Sequence, residues 1–128
     1  MHGPGPDDLA TWRLPDDYAS AVEWLRDHRV VVATAYGRVL TVDVGTGAVR
    51  LLHAEHEDWV RQLRVSPDGR YVVSCSQNGV GRVFDLQQDT LVGGADLDGH
   101  TVLALDVTPA GEVMALDPGG DLSRVDVA

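Results

Sequence analysis

Landmarks in this chain return every 41 or 42 residues, and that period constrains the fold more than any other feature. Val60 and Val102, Leu63 and Leu105, and Pro67 and Pro109 are each 42 residues apart. Gly37 and Gly79 are separated by 42, Gly79 and Gly120 by 41, Asp43 and Asp85 by 42, and Asp85 and Asp126 by 41. Between these landmarks lie short Val- and Leu-rich runs bounded by Gly, Asp, Asn or Pro, the pattern of strands joined by tight turns. Val30-Val31-Val32, Val39-Leu40-Thr41-Val42, Tyr71-Val72-Val73 and Val102-Leu103-Ala104-Leu105 are the clearest runs. Pro67-Asp68-Gly69 and Pro109-Ala110-Gly111 read as hairpin turns, because Pro presets φ and Gly accepts a positive one. Tyr18, Val22 and Leu25 also fit a helical stripe, but the repeat places a strand there. A period of 40–45 residues with four strands per unit is the arithmetic of propeller blades, so the 128 residues hold three units of an all-β fold.

The run His56-Glu57-Asp58-Trp59-Val60-Arg61-Gln62-Leu63-Arg64-Val65-Ser66-Pro67-Asp68-Gly69-Arg70-Tyr71-Val72-Val73-Ser74-Cys75-Ser76-Gln77-Asn78-Gly79 resembles one WD40 repeat throughout. The likeness continues to Phe84-Asp85, where the family ends its repeat in Trp-Asp. The third unit keeps Gly99-His100 and Val125-Asp126, and the first keeps Gly37-Arg38-Val39 and Val42-Asp43 with a shorter first turn, Leu25 to Leu63 being 38. Members of that family carry a buried hydrogen-bonded set of His, Ser or Thr, Asp and Trp in a blade. The resemblance assigns this structural role to His56, to Ser74 or Ser76, to Asn78 and to His100. Phe84 lacks the indole donor, and Tyr18 stands where the first unit's His would fall, so the set is incomplete.

The phase of the repeat suggests how a ring would close. A flexible tail (1–8) precedes an outer strand (9–14), a first blade (15–55), a second (56–98) and a third lacking its outer strand (99–128). The displaced strand holds Leu9, Thr11, Trp12 and Leu14, and its expected neighbours are Val125 and Val127 of the last strand. Three blades are too few for a ring of about 4–8, so the expected assembly is homo-oligomeric, each first strand completing a neighbour's last blade. A dimer of about six blades is preferred to a trimer of about nine. A piece of a longer propeller, or a hetero-assembly, are the other two routes.

Composition narrows the function classes. No apolar run approaches the roughly 18 residues of a spanning helix, so no membrane role is expected. MHGPGPDD has neither the basic start nor the apolar core of a secretory signal. The absence of Lys and Ile suggests a GC-rich coding bias, and with the missing signal points to a bacterial, cytoplasmic protein. A net charge of −10 repels phosphate backbones and favours basic protein or peptide partners over nucleic acid. The lone Cys75 can form no intrachain disulfide and reads as apolar filler.

Candidate chemistry is sparse. His53, His56 and Asp58 lack the converging set that a metal needs. Ser74, His56 and Asp58 lack a nucleophile elbow. No catalytic, cofactor or metal site is therefore expected. Trp59 and Arg61, at the loop entering a blade where the resemblance implies partner contacts, form the candidate partner surface. The alternative is a small-molecule- or metal-binding propeller, quinoprotein-like or hydrolytic, with an axial site. Gly37 to Gly47 resembles a quinoprotein-type repeat, and carboxylates such as Asp106 would ring the channel.

Overall fold

The computed structural model describes residues 17–96, 104–107, 113–116 and 122–125. Strands β1 (Ala19–Trp24), β2 (Arg29–Thr34), β3 (Val39–Asp43) and β4 (Val49–His53) form one antiparallel sheet in chain order. A second repeats it with β5 (Val60–Val65), β6 (Tyr71–Ser76), β7 (Val80–Asp85) and β8 (Thr90–Asp96). A third holds β9 (Ala104–Val107), β10 (Val113–Leu116) and β11 (Leu122–Val125). The first strands of successive sheets are neighbours, β1 against β5 and β5 against β9, which is how blades gather around an axis. The stretch with the helical stripe is strand β1, because Val and Ala spaced along it are paired with β2.

Register shows how the repeat works in three dimensions. Val22, Val32, Leu40 and Leu51 lie side by side across the four strands of the first blade, and Trp24, Val30, Val42 and Val49 form the next row. Since paired residues share a face, these two rows make one continuous apolar face. The opposite face carries Ala33, Val31 and Val39, which meet Leu63, Val72 and Phe84 of the second blade in the main core. Each buried Val, Leu or Phe side chain there contributes about 1.5–3 kcal/mol.

The second blade repeats the register: Leu63 pairs with Ser74, Val65 with Val72, and Val72 with Phe84. Val22 therefore matches Leu63, at an offset of 41, and Val42 matches Phe84, at 42. The expected alignment of Leu25 with Leu63 is corrected by this pairing. The β1–β2 turn is one residue shorter than the β5–β6 turn, and that single residue accounts for the change of offset.

Polar contacts stitch the two blades together. Ser20 Oγ, at a bulge in β1, donates to the Val60 carbonyl at 2.6 Å. Arg64 donates to Glu23 at 3.2 Å, and Arg50 on β4 pairs with Asp89 in the β7–β8 turn. Strands β3 and β7 each end in an Asp that organises the next turn. Asp43 accepts from the Gly45 and Thr46 amides, and Asp85 accepts from those of Gln87 and Gln88. Arg70 adds a two-pronged pair to Asp85, the nearer contact at 2.9 Å, and holds that carboxyl below its ordinary range.

Candidate functional site

Two clusters of functional type lie on the first and second blades. One is buried. His53 ends β4, His56 lies in the loop to β5, and Ser74 sits in mid-β6 with no exposed surface. Ser74 Oγ lies 2.7 Å from His56 Nε2 and 3.5 Å from His53 Nε2. His53 Nδ1 accepts from the Glu55 amide, so a neutral His53 carries its proton on Nε2 and donates to Ser74. Ser74 then donates to His56 Nε2, which puts the His56 proton on Nδ1. That atom is buried and has no partner among the described residues.

Burial is the first cause holding both imidazoles neutral, and nearby Arg82 adds to it. His53 and His56 are each held down to about 4, with His53 itself a further influence on His56. The His53 ring stacks on Phe84, centroids 6.2 Å apart, where the repeat lacks its usual Trp. Gly37 closes over the cluster from the β2–β3 turn with φ +83°. A Cβ there would fall 2.0 Å from the His56 carbonyl oxygen, so the close approach itself requires glycine.

The structure brings His56 and Ser74 together and adds His53, which the sequence offered only as a metal ligand. It corrects the place of Asn78. Its Oδ1 accepts from Ser76 Oγ and from the Val80 amide, so Asn78 closes the β6–β7 turn instead of joining the histidines. Tyr18 is likewise corrected, for pairing places it opposite Trp59 in the repeat rather than opposite His56. The Tyr18 carbonyl accepts from Ala35 as the Trp59 carbonyl accepts from Gln77. His100, Leu9, Thr11, Trp12, Leu14 and Val127 lie outside the described residues, and Val125 is placed in β11 by its backbone alone. Asp58 accepts from the Trp59 amide and makes no described contact with His56.

The second cluster is exposed, at the end of the blades where the loops entering β1 and β5 meet the β2–β3 and β6–β7 turns. Tyr18 and Tyr36 are 69% and 62% exposed and meet edge to face with centroids 6.3 Å apart. Beneath them Asp17 is buried, its Oδ1 accepting from the Tyr18 and Tyr36 amides and its Oδ2 lying 3.7 Å from Arg38. Trp59 is 43% exposed, and the Arg61 guanidinium lies over its ring at 4.9 Å. Tyr18 and Tyr36 escaped the sequence reading because neither carries a motif. Their link is the shared carboxylate of Asp17, which only the fold reveals.

Other candidates fall into place. Cys75 is buried, and burial pushes its thiol up to about 11. Asp106 lies exposed on β9. Among the described residues no group of three or more His, Cys, Asp or Glu could hold a metal. No described helix is long and apolar enough to cross a membrane.

Comparison with known proteins places this geometry. A family model described as WD domain, G-beta repeat, matches residues 49–85, which run from β4 through β7 and so straddle two blades. Eukaryotic translation initiation factor 3 subunit I of Candida glabrata is 27% identical over 112 residues, covering 85% of this chain and 32% of that protein. WD repeat and SOCS box-containing protein 1 of Danio rerio is 39% identical over 75 residues, covering 53% of this chain and 18% of the relative. The β-propeller domain of Cps50 (Swd1) from Myceliophteria thermophila superposes with a TM-score of 0.77 at 21% identity, over 90% of this chain and 37% of that one. The WD40 β-propeller domain of Doa1 gives 0.72 at 22% identity, over 86% and 36%. The chain thus spans about a third or less of these relatives' lengths. The relatives named are eukaryotic, and the expected bacterial source has no support among them. With the matched repeat lying across two blades, this chain carries a WD40 repeat and has the fold of WD40 β-propellers.

Proposed function

We propose that the chain is a non-enzymatic interaction scaffold whose exposed aromatic rim binds a basic segment of a protein partner. The observation that carries this reading is the rim itself: Tyr18, Tyr36 and Trp59 stand exposed at one end of adjacent blades. Aromatic faces attract guanidinium and ammonium groups, and the chain's net charge of −10 favours the same partners. Ser74, the hydroxyl with imidazoles at hand, is sealed in the interior and meets no substrate. The test is a fluorescence-anisotropy titration with labelled Arg-rich and Asp-rich peptides. Binding of the Arg-rich peptide alone, weakened several-fold in Trp59→Ala and Tyr36→Ala, is expected. Equal binding of both peptides, or none, refutes the reading.

The same proposal includes self-assembly. Two copies would complete a ring of about six blades, the first strand of each finishing the last blade of its partner, with a trimer as the larger alternative. The exposed apolar side chains of Val22, Trp24, Val49 and Leu51 on the edge strands of the first blade support it. A cytoplasmic setting fits the unpaired thiol of Cys75. Light scattering should give two or three times the 13.8 kDa chain mass, and removal of residues 1–14 should abolish the assembly. A folded species of single-chain mass refutes it.

A further inference from the structure

Two rim tyrosines present ring faces that no described cation covers. Trp59 carries the Arg61 guanidinium over its ring, and Tyr71 carries that of Arg70. Tyr18 and Tyr36 carry no such group among the described residues, although both are mostly exposed. Tyr36 precedes Gly37 in the β2–β3 turn as Asn78 precedes Gly79 in the β6–β7 turn. Asn78 closes its own turn through Oδ1, which a tyrosine side chain cannot do. In the first blade the acceptor comes from another segment. Asp17 Oδ1 accepts from the Tyr18 amide at 2.8 Å and from the Tyr36 amide at 3.3 Å. One buried carboxylate therefore fixes the backbone under both rings, whose planes meet at 67°. Rings so exposed add little to stability, so packing does not account for an aromatic pair here.

The corner between the rings attracts positive charge, yet its walls are ring faces and its carboxylate is out of reach. Aromatic faces carry negative potential. Asp17 Oδ2 is buried, receives no hydrogen bond, and lies 3.7 Å from the half-exposed Arg38. The Asp17 side chain is only 2% exposed, so a ligand feels its charge without touching it. Arg38 offsets part of that charge, which leaves the ring faces as the main attraction. A primary ammonium or a guanidinium entering the corner gives up water bonded to its N–H groups and finds no comparable acceptor at the walls. A trimethylated ammonium has no N–H group to satisfy. Its charge is spread over methyl surface that gains from burial against the rings.

We infer that the Tyr18–Tyr36 corner seats a trimethylated lysine of the partner segment. The inference rests on the basic-segment reading above and adds to it the chemical state of one residue that the rim selects. A net charge of −10 draws the basic segment in, and the two rings, held by Asp17, discriminate among its cations.

Fluorescence anisotropy on the full chain tests this with a labelled Arg-rich peptide bearing a single central lysine. The lysine is supplied as the free amine, as the trimethylated form, and with a neutral tert-butyl group replacing the trimethylammonium. The last has the shape of the second without its charge. The trimethylated peptide is expected to bind about fivefold or more tighter than either of the others. Tyr18→Ala and Tyr36→Ala should bring all three to one affinity with an unchanged circular dichroism spectrum, since both rings start exposed. Variants that keep the preference overturn the assignment of the corner. Equal binding of the three peptides by wild type also overturns it and leaves the basic-segment reading standing, whereas binding of none overturns both. A neutral form that binds as tightly as the trimethylated one overturns the selection of a cation. Choline chloride that displaces the labelled peptide at no higher concentration than unlabelled trimethylated peptide assigns the corner to a free quaternary amine and overturns the lysine. The comparison on wild type decides the matter even where a variant fails to fold.

Discussion

Acidification from pH 7 to 5 should weaken the fold by about 4 kcal/mol through His53 and His56 alone, about 2 kcal/mol each. Both side chains are buried, and both are held down to about 4 from an ordinary 6.5. Below pH 6.5 the unfolded chain takes up a proton at each imidazole, while the folded chain refuses it until about pH 4. The unfolded state thus binds more protons throughout that window, and stability falls as pH falls. Above pH 7 both states are neutral at these sites and the contribution is flat. The carboxyls held low, Asp43, Asp68 and Asp85, have an ordinary value of 3.8, so most of their loss comes at lower pH. The interval from 7 to 5 therefore isolates the imidazoles. Urea unfolding followed by circular dichroism at fixed protein concentration measures the effect. His56→Gln, which keeps an amide near Ser74, should halve the slope, and His53→Gln with His56→Gln should nearly remove it. A wild-type stability that is flat from pH 7 to 5, or a double variant with the full slope, refutes the reasoning.

Three further perturbations test the packing. Phe84→Ala removes a ring 3% exposed that lies in the main core and stacks on His53. It should cost about 3–5 kcal/mol in urea unfolding, and a loss below about 1 kcal/mol would mean that the blade joint does not rest on this ring. Gly37→Ala should abolish folding or sharply lower the thermal midpoint, since the new Cβ meets the His56 carbonyl in a left-handed turn. Gly45→Ala, with only the Asp43 carboxylate nearby and no positive φ, is expected to stay close to wild type. Cys75 should resist a thiol reagent at pH 8 in the folded protein and react fully in urea, because burial both hides the thiol and raises it to about 11. Rapid labelling of the folded protein would show that β6 opens easily.

Strand positions and turns were legible in the sequence because they depend on local pattern. Val-rich runs, Pro-Asp-Gly and the recurring Gly37 and Gly79 report backbone preferences that act within a few residues. The 42-residue period carried that local information to the level of blades, since a sheet that repeats must repeat its landmarks. His56 and Ser74 were also readable, through the family pattern of the second unit. Which residues share a face was not. A β1–β2 turn shorter by one residue than its counterpart shifts the first blade to an offset of 41 over β1, while the bulge at Ser20 recurs at Arg61. One residue of register reverses the direction of every side chain that follows. For that reason Tyr18 pairs in role with Trp59, whereas the turn of Asn78 to Ser76 and the entry of His53 into the buried cluster are contacts that only the packing decides. The period by itself determined that this chain builds blades. Only the tertiary structure decided which side of the first blade packs on the second, because that depends on contacts between residues about forty positions apart.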